Sequence, residues 1–199
     1  MFLFVCIMAL SVNLSVILAA NKKTEVFQLV NLEGKVNKSE IGGEALYVVS
    51  LWDSRGNFPV SEDGSFTTVV SNQRPQKISL EDDKKKIRAL AIVLPQSSKN
   101  IIFDAKSTAL AVLFQDASSF GQSSEVEQFM GLAESSSSFQ DLVAYLKKNL
   151  SDKSLDELNK LDQYAELLDA CNSQIKGDDQ KQIKDSLNAA KQELEKVLP

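Results

Sequence analysis

The sharpest cluster of residues that could carry chemistry is Asp104, Ser107 and Thr108, which follow the apolar run 101–103. A carboxylate beside two hydroxyl groups could hold a cation or orient a ligand. The same residues also suit the start of a helix, with Ser107 or Thr108 as the N-cap and Asp104 accepting from free N–H groups of the first turn. We favour the helix start, and we keep Asp104 and Ser107 as candidate ligand-binding residues.

A nucleophilic role for Ser107 would require a general base within reach. The nearest lysine is Lys106, and adjacent residues at a helix start point apart. The 199-residue chain contains no histidine, which excludes Ser-His-Asp and Cys-His catalysis and His-containing zinc sites. We therefore predict a non-enzymatic protein that needs no cofactor and no metal.

Acidic and amide residues in the expected strand connections form a second group of candidates. If two of these turns met, their oxygens could bind calcium, although their spacing matches no EF-hand loop and solvated turns are the usual explanation. A pair of carboxylates that includes Asp104 could instead serve a hydrolase, provided that about 6–10 Å separates them. The residues in these turns are Asp53, Asn57, Glu62, Asp63, Glu81, Asp82 and Asp83.

Aromatic residues offer a third kind of site. Trp52 ends an apolar run and precedes a turn, which is a suitable position for a platform that stacks on a sugar. Tyr47 and Phe66 fit the core of a sheet better, and Phe58 could extend an exposed aromatic face. Trp52 is therefore the aromatic candidate for ligand binding.

The charge balance argues against nucleic acid as a partner. The chain has 22 basic and 27 acidic residues, for a net charge of -5. A nucleic-acid-binding face would need a basic patch. The run Lys84 to Lys86 is too short to supply one and follows two aspartates directly.

From about residue 24 to residue 104 the sequence alternates apolar and polar residues, with turn residues between the runs. Asp63-Gly64 is a turn pair that favours positive φ. No helical pattern separates the runs, so we expect about six short strands in an antiparallel β-sandwich over 24–106. The runs lie at 26–32, 45–52, 66–70, 78–80, 87–94 and 101–103.

The periodicity changes at Ser107, and no strand-like run follows it. Serine residues before apolar stripes predict helix starts, and Ser154 with Glu157 matches a capping box. We expect Gly177 to end the fourth helix and Asp178 to begin a fifth, so that the two form an antiparallel hairpin. The predicted fold is α+β, with the sandwich followed by a helical region at 107–199 that ends in this hairpin. The apolar stripe of the hairpin is Leu155, Leu158, Leu161, Leu168, Ile175, Ile183, Leu187, Leu194 and Leu198.

Residues 1–20 carry no charge and end in two alanines. This pattern is typical of a secretory signal peptide cleaved after about Ala20. An uncleaved membrane anchor is the alternative, since about 20 residues can just span a bilayer. Cleavage would remove Cys6 and leave Cys171 as the one thiol. Cys171 sits at an apolar helical position that fits a core residue, with an intermolecular bridge as the alternative.

Three short motifs lie in the strand region: Gly34-Lys35-Val36, the run Leu46 to Val49, and Asp63-Gly-Ser-Phe66. Together they resemble the transthyretin-like, carboxypeptidase-regulatory-like β-sandwich of many exported bacterial proteins. The run Phe103-Asp-Ala-Lys-Ser-Thr-Ala-Leu-Ala-Val112 is similar to a segment of uncharacterised bacterial surface proteins in which a strand passes into a helix. The resemblance implies a scaffold or binding module. Hydroxyisourate hydrolase, the enzymatic relative of transthyretin, relies on histidines that this chain lacks.

We therefore expect an exported protein, in the periplasm, at the cell surface or secreted. Its expected role is non-enzymatic: binding of a protein or a surface glycan, or association with the cell envelope. The alternatives are an assembly protein that forms homo-oligomers through helices 154–198, and a carboxylate-dependent hydrolase. A membrane partner is expected only if residues 1–20 stay attached.

Overall fold

The structure, a computed structural model, describes residues 28–50, 57–95, 101–114 and 123–197, except for the side chains of residue 180 and residues 182–197. Within these ranges seven strands precede five helices. The strands are β1 (Leu29–Val36), β2 (Leu46–Val49), β3 (Phe58–Pro59), β4 (Ser65–Ser71), β5 (Gln76–Asp82), β6 (Ile87–Val93) and β7 (Ile101–Phe103). The helices are α1 (Ala105–Leu113), α2 (Ser123–Ser135), α3 (Ser137–Asn149), α4 (Leu155–Leu158) and α5 (Asp162–Val197).

The strands form a three-stranded sheet in the order β4-β1-β7 and a four-stranded sheet in the order β3-β2-β5-β6. Every pair is antiparallel except β1 and β7, which run parallel from Gly34 opposite Ile101 to Val36 opposite Phe103. The expectation of a purely antiparallel arrangement was therefore wrong at this pair. The reason is that β7 follows β6 in the chain but joins the other sheet, where its neighbour β1 runs in the same direction.

The period-two pattern places one face of each strand in the core. On β1, Leu32 and Val36 are buried, whereas Glu33 and Lys35 between them are exposed. This is the alternation expected of a strand with one buried face. The α+β class and the order of strands before helices are confirmed. The buried side chains of the two sheets include Leu32, Val36, Phe66, Val70, Val48, Ile78 and Leu80.

Serine caps begin two of the helices, as predicted. Ser136 is the N-cap of α3, and Ser154 is the N-cap of α4, where it forms a reciprocal capping box with Glu157. Such caps satisfy N–H groups that a helix start leaves free. The Oε1 atom of Gln174 on α5 accepts from the hydroxyls of Ser136 and Ser138, each at 2.8 Å. The serine run therefore also connects α3 to α5.

The predicted C-terminal hairpin is wrong. Helix α4 is a single turn, and α5 then continues for 36 residues through Gly177 without a break. A glycine inside a helix costs only about 1 kcal/mol relative to alanine, and no proline stands between Gly177 and the helix end at Val197. Asp178 is therefore an interior helical residue and not the start of a new helix.

The described half of α5 is covered by the chain itself. Tyr164 stacks on Tyr145 of α3, with the ring centroids 6.1 Å apart. Cys171 is fully buried, which confirms its expected core position, and this burial raises the pKa of its thiol to about 11. Of the predicted stripe, Leu155, Leu158 and Ile175 are buried, and Leu161 is exposed. The stripe positions 183, 187, 194 and 198 lie outside the described side chains.

The predicted leader, residues 1–20, lies outside the described ranges. The choice between a cleaved signal peptide and an anchor therefore stays a prediction. In the ranges that are described, no helix combines the length and the apolarity needed to cross a bilayer.

The strand region meets the helices at the end of α3. The N–H of Gly42 donates to the Leu150 carbonyl at 3.3 Å. Arg88 of β6 is only 8% exposed, and its Nη2 donates to the Leu150 carbonyl at 3.1 Å and the Ser151 carbonyl at 3.2 Å. A helix leaves its last carbonyls without partners inside the helix. Here Arg88 and Gly42 of the strand region donate hydrogen bonds to carbonyls at this end of α3.

We expect Gly42→Ala to destabilise the fold. A Cβ at this position would collide with the carbonyl oxygen of Ser151, and forced overpacking costs about 1–3 kcal/mol. Gly177→Ala is the matched control, because a Cβ there meets nothing within 4 Å and should stabilise α5 by about 1 kcal/mol. Urea denaturation followed by circular dichroism measures both. Equal stabilities for the two variants would contradict the tight contact at Gly42.

Candidate functional site

Asp104 and Ser107 are brought together, and they form the start of α1. The Oδ1 atom of Asp104 accepts from the Ser107 N–H at 2.7 Å. The Oγ atom of Ser107 accepts from the Asp104 N–H at 3.0 Å. The N-cap is therefore Asp104 and the helix begins at Ala105, so the expectation that Ser107 or Thr108 would cap it was wrong. Asp104 has the extended backbone that an N-cap requires, and Ser107 occupies the third helical position of the same capping box.

Two further side chains fix α1 in place. The Oε2 atom of Glu40 accepts from the Ala105 N–H at 3.0 Å, and its Oε1 pairs with Nζ of Lys147 on α3 at 3.2 Å. Thr108 is fully buried, with its Oγ1 3.3 Å from the Leu90 nitrogen and 3.4 Å from the Leu90 carbonyl oxygen. The sequence did not indicate Glu40 as a functional residue. Its partners are 65 residues or more away along the chain, and no local sequence pattern predicts these contacts.

A small cavity of about 260 Å³ lies beside this helix start. Its apolar lining comes from β6, β7, α1 and α2. Lys106 and Glu134 border it and form an ion pair of 3.0 Å with each other. Asp104 and Ser107 also border it, but their polar atoms already serve the capping box. The predicted ligand-binding pair is therefore occupied by structural hydrogen bonds.

The acidic residues of the strand turns organise those turns. The Oδ1 atom of Asp63 accepts from the Ser65 N–H at 3.0 Å and from the Ser65 hydroxyl at 2.7 Å. These bonds lower the pKa of Asp63, and Gly64 has the positive φ of 82° that the turn pair predicted. The Oδ1 atom of Asp82 accepts from the N–H groups of Lys84 and Lys86. Among the described residues, no group of three or more His, Cys, Asp or Glu side chains could hold a metal ion. Asp53 lies outside them.

The lysine run contributes an ion pair between the two regions of the chain. Lys86 Nζ lies 2.6 Å from Oε1 of Glu157 in the capping box of α4. The bond from Lys86, followed by the bonds from Ser154, lowers the pKa of Glu157 to about 2. The same ion pair raises the pKa of Lys86. The pair therefore connects the β5–β6 turn to the helices.

The aromatic residues do not form one exposed face. Phe66 is buried and packs against Phe103, with ring centroids 5.5 Å apart. Tyr47 and Phe58 are half-buried on neighbouring strands. Trp52, the predicted sugar platform, lies outside the described residues. The expected core role of Phe66 is confirmed.

The larger concave site is one that the sequence did not indicate. A cavity of about 550 Å³ lies against the three-stranded sheet and continues to the chain before β4. Its polar lining includes Glu33 and Lys35 of β1, two residues apart on the outward face. Ile102, which is 50% exposed, lies beside Lys35 in the register of β1 and β7. Hydroxyl groups complete the lining, from Ser61, Ser65 and Thr67.

A second groove, of about 510 Å³, separates α2 from α5. Its apolar lining includes the half-buried Phe129 and Leu132 of α2 and the buried Ile175 of α5. Lys176 and Asp179 on α5 border it with opposite charges. This groove involves the region for which the sequence predicted helix-mediated assembly.

We expect the ion pair between Lys86 and Glu157 to make stability depend on acidic pH. The pKa of Glu157 falls from the ordinary 4.5 to about 2 on folding. The ionised carboxylate therefore stabilises the fold above pH 4.5, and this contribution is lost as the pH falls from 4.5 to about 2. Glu157→Gln should lower the melting temperature at pH 7 and flatten its fall below pH 4.5.

Melting curves between pH 7 and pH 2 measure this effect. Glu166→Gln is the matched control, because Glu166 is an exposed carboxylate of α5 without an ion pair among the described residues. Identical pH profiles for Glu157→Gln and the control would contradict the role of the pair.

No family model, no curated protein and no solved structure matches this chain. The resemblance to transthyretin-like sandwiches therefore stays a prediction from the motifs.

Proposed function

We propose that this chain is an exported, non-enzymatic binding protein of the cell envelope, in which the strands form the scaffold. The observation that carries the proposal is the concave outer face of the three-stranded sheet. A cavity of about 550 Å³ falls in the size range of ligand sites, which is roughly 300–1,000 Å³. Most of its lining residues belong to strands, and strands position side chains more rigidly than loops do.

The chemistry of this face suits recognition of a polar partner. Glu33 and Lys35 supply one acceptor group and one donor group, and the hydroxyls of Ser65 and Thr67 can do both. Ile102 adds an exposed apolar contact beside Lys35. Hydroxyl-rich and peptide-like ligands combine the same polar and apolar features. A surface glycan or an envelope protein is therefore the partner class that we propose.

The use of the other polar candidates supports binding over catalysis. Asp104 and Ser107 are engaged in a capping box, and Asp63 is engaged in its own turn. Catalytic acids and nucleophiles are held ready for a substrate. Here one carboxylate oxygen of each aspartate and the hydroxyl of Ser107 already bond to groups close to them in sequence.

Binding to the outer face is tested with the chain from Asn21 onward, which contains every described residue. The protein is screened for binding on a glycan array. In a separate assay it is immobilised and screened against extracted envelope proteins. Lys35→Ala and Ile102→Ser should each weaken capture by about tenfold, which corresponds to about 1.4 kcal/mol. Lys148→Ala on α3 and Leu161→Ser between α4 and α5 are matched controls, because both residues are exposed and lie outside this cavity. Equal capture by all four variants would contradict this site.

Export is tested separately with the full chain and a C-terminal tag, expressed in a bacterium. The uncharged segment 1–20 should direct the protein out of the cytoplasm, and the mature chain should begin at Asn21. Cell fractionation and N-terminal sequencing measure the two results. Retention of the intact chain in the cytoplasm would contradict export without affecting the binding test.

A further inference from the structure

The outer face of the three-stranded sheet carries two opposite charges at a defined spacing. Glu33 and Lys35 both line the cavity of about 550 Å³, and both are exposed residues of β1. They are two residues apart on one strand, so their side chains leave the same face of the sheet. A strand advances about 3.3 Å per residue, which puts the origins of the two side chains about 7 Å apart. The cavity therefore presents a negative and a positive group side by side.

Neither of these two charges has a direct partner in the part of the chain that the structure describes. Glu33 and Lys35 form no ion pair and no side-chain hydrogen bond there. Lys35 does act on Asp63 through its charge: bonds from Ser65 lower the pKa of Asp63, and the charge of Lys35 adds to this effect. The Oδ1 atom of Asp63 is held by the Ser65 N–H and hydroxyl. Both charged groups of β1 are therefore available to a ligand that carries the complementary charges.

An apolar contact lies at the Lys35 end of this pair. The register of β1 and β7 places Ile102 opposite Lys35 and ends before Glu33 is reached. Ile102 is 50% exposed, so its side chain is accessible to a ligand. On the other strand, Thr67 lies opposite Glu33 and supplies a hydroxyl group. The face is thus directional, with a cation beside an apolar side chain at one end and a carboxylate beside a hydroxyl at the other.

A short peptide with two free ends has the same arrangement of groups. Two residues of an extended peptide span about 7 Å, which matches the spacing of Glu33 and Lys35. The terminal carboxylate of such a peptide accepts from the Lys35 ammonium group, and its terminal amino group donates to the Glu33 carboxylate. In this direction the side chain of the C-terminal residue comes to lie next to Ile102.

We propose that this face binds a short zwitterionic peptide, about two residues long, whose C-terminal residue is apolar. The inference rests on the proposed function, because it names the ligand of the same cavity. Lys35 holds the carboxylate, Glu33 holds the amino group, and Ile102 contacts the apolar side chain. The proposal selects peptides over glycans as the partner class, because a neutral sugar leaves both charges of the face without a counter-charge.

The test is titration of dipeptides into the chain from Asn21 onward, followed by NMR up to about 10 mM ligand, a range that covers weak binding. Ala-Leu should bind and shift the amide signals of residues 33–35 and 101–102. N-acetyl-Ala-Leu lacks the ammonium charge and Ala-Leu amide lacks the carboxylate, so each should bind about tenfold more weakly. Ala-Gly should also bind about tenfold more weakly, because it brings no apolar side chain to Ile102.

Two variants assign the two ends of the ligand. Glu33→Gln should weaken Ala-Leu by about tenfold and leave the acetylated peptide unaffected, because that peptide has no ammonium group to lose a partner. Lys35→Ala should weaken Ala-Leu by a similar factor and remove the difference between Ala-Leu and its amide. Asn31→Ala is the matched control, since Asn31 is an exposed residue of β1 outside the cavity lining. It should bind like the wild type.

Exchanging the two charges tests the direction of the ligand. The wild type should prefer Ala-Leu to Leu-Ala, because the apolar C-terminal residue then lies next to Ile102. In the double variant Glu33→Lys with Lys35→Glu, the peptide should bind in the opposite direction, and Leu-Ala should become the preferred ligand. The same preference in both proteins would overturn the assignment of the two charges.

The remaining outcomes separate this inference from the proposed function. If no dipeptide binds up to about 10 mM while envelope capture still depends on Lys35 and Ile102, the zwitterionic ligand is wrong and the binding face stands. Equal binding of Ala-Leu and its acetylated form would mean that Glu33 takes no part, and it would also overturn the zwitterionic ligand. Loss of both dipeptide binding and envelope capture would overturn the face as a binding site.

Discussion

The carbonyl groups at the end of α3 are the constraint on which the joining of strands and helices depends. Leu150, which carries one of them, is fully buried, and a buried polar group left unpaired costs roughly 1–3 kcal/mol. Arg88 satisfies them from β6, and the Gly42 N–H satisfies one of them from the loop before β2. The arginine must be almost completely buried to do this, and Gly42 must lack a side chain. The helical region is consequently joined to the strand region at the end of α3, where Arg88 and Gly42 donate to its carbonyl groups.

The same need to pair polar groups explains why the residues that could carry chemistry have structural roles. Cys171 is a buried free thiol and the one cysteine of the described residues, so the stability of this part of the chain rests on packing and on satisfied polar groups. Asp104, Ser107 and Glu40 all serve the first turn of α1. The concave surfaces left for partners include the outer face of the three-stranded sheet and the groove between α2 and α5.

Local patterns in the sequence predicted most of the fold. Alternating burial along β1, the capping box at Ser154 and the turn at Asp63-Gly64 all depend on residues close together in the chain, and they were found. The parallel pairing of β7 with β1 was not, because it depends on which sheet a short strand joins. The predicted hairpin failed because a single glycine weakens a long helix without ending it.

In the candidate site too, local contacts were predictable from the sequence and long-range contacts were not. Asp104 and Ser107 were identified by their residue types, and their proximity was confirmed, but as a cap. Glu40 and Arg88 carry no local signal, since their significance comes from partners far along the chain. The outer-face cavity likewise arises from three strands that are adjacent only in space.

The burial of Cys171 has a consequence for the life of the protein after synthesis. Its thiol has a pKa of about 11 and no exposed surface in the folded chain, so almost no thiolate is available to attack another sulfur. In an oxidising compartment, the folded chain would therefore keep Cys171 as a free thiol. A copy in which α5 has opened would expose a sulfur that can cross-link to a neighbour. Oxidation would thus mark unfolded copies selectively and leave folded ones untouched.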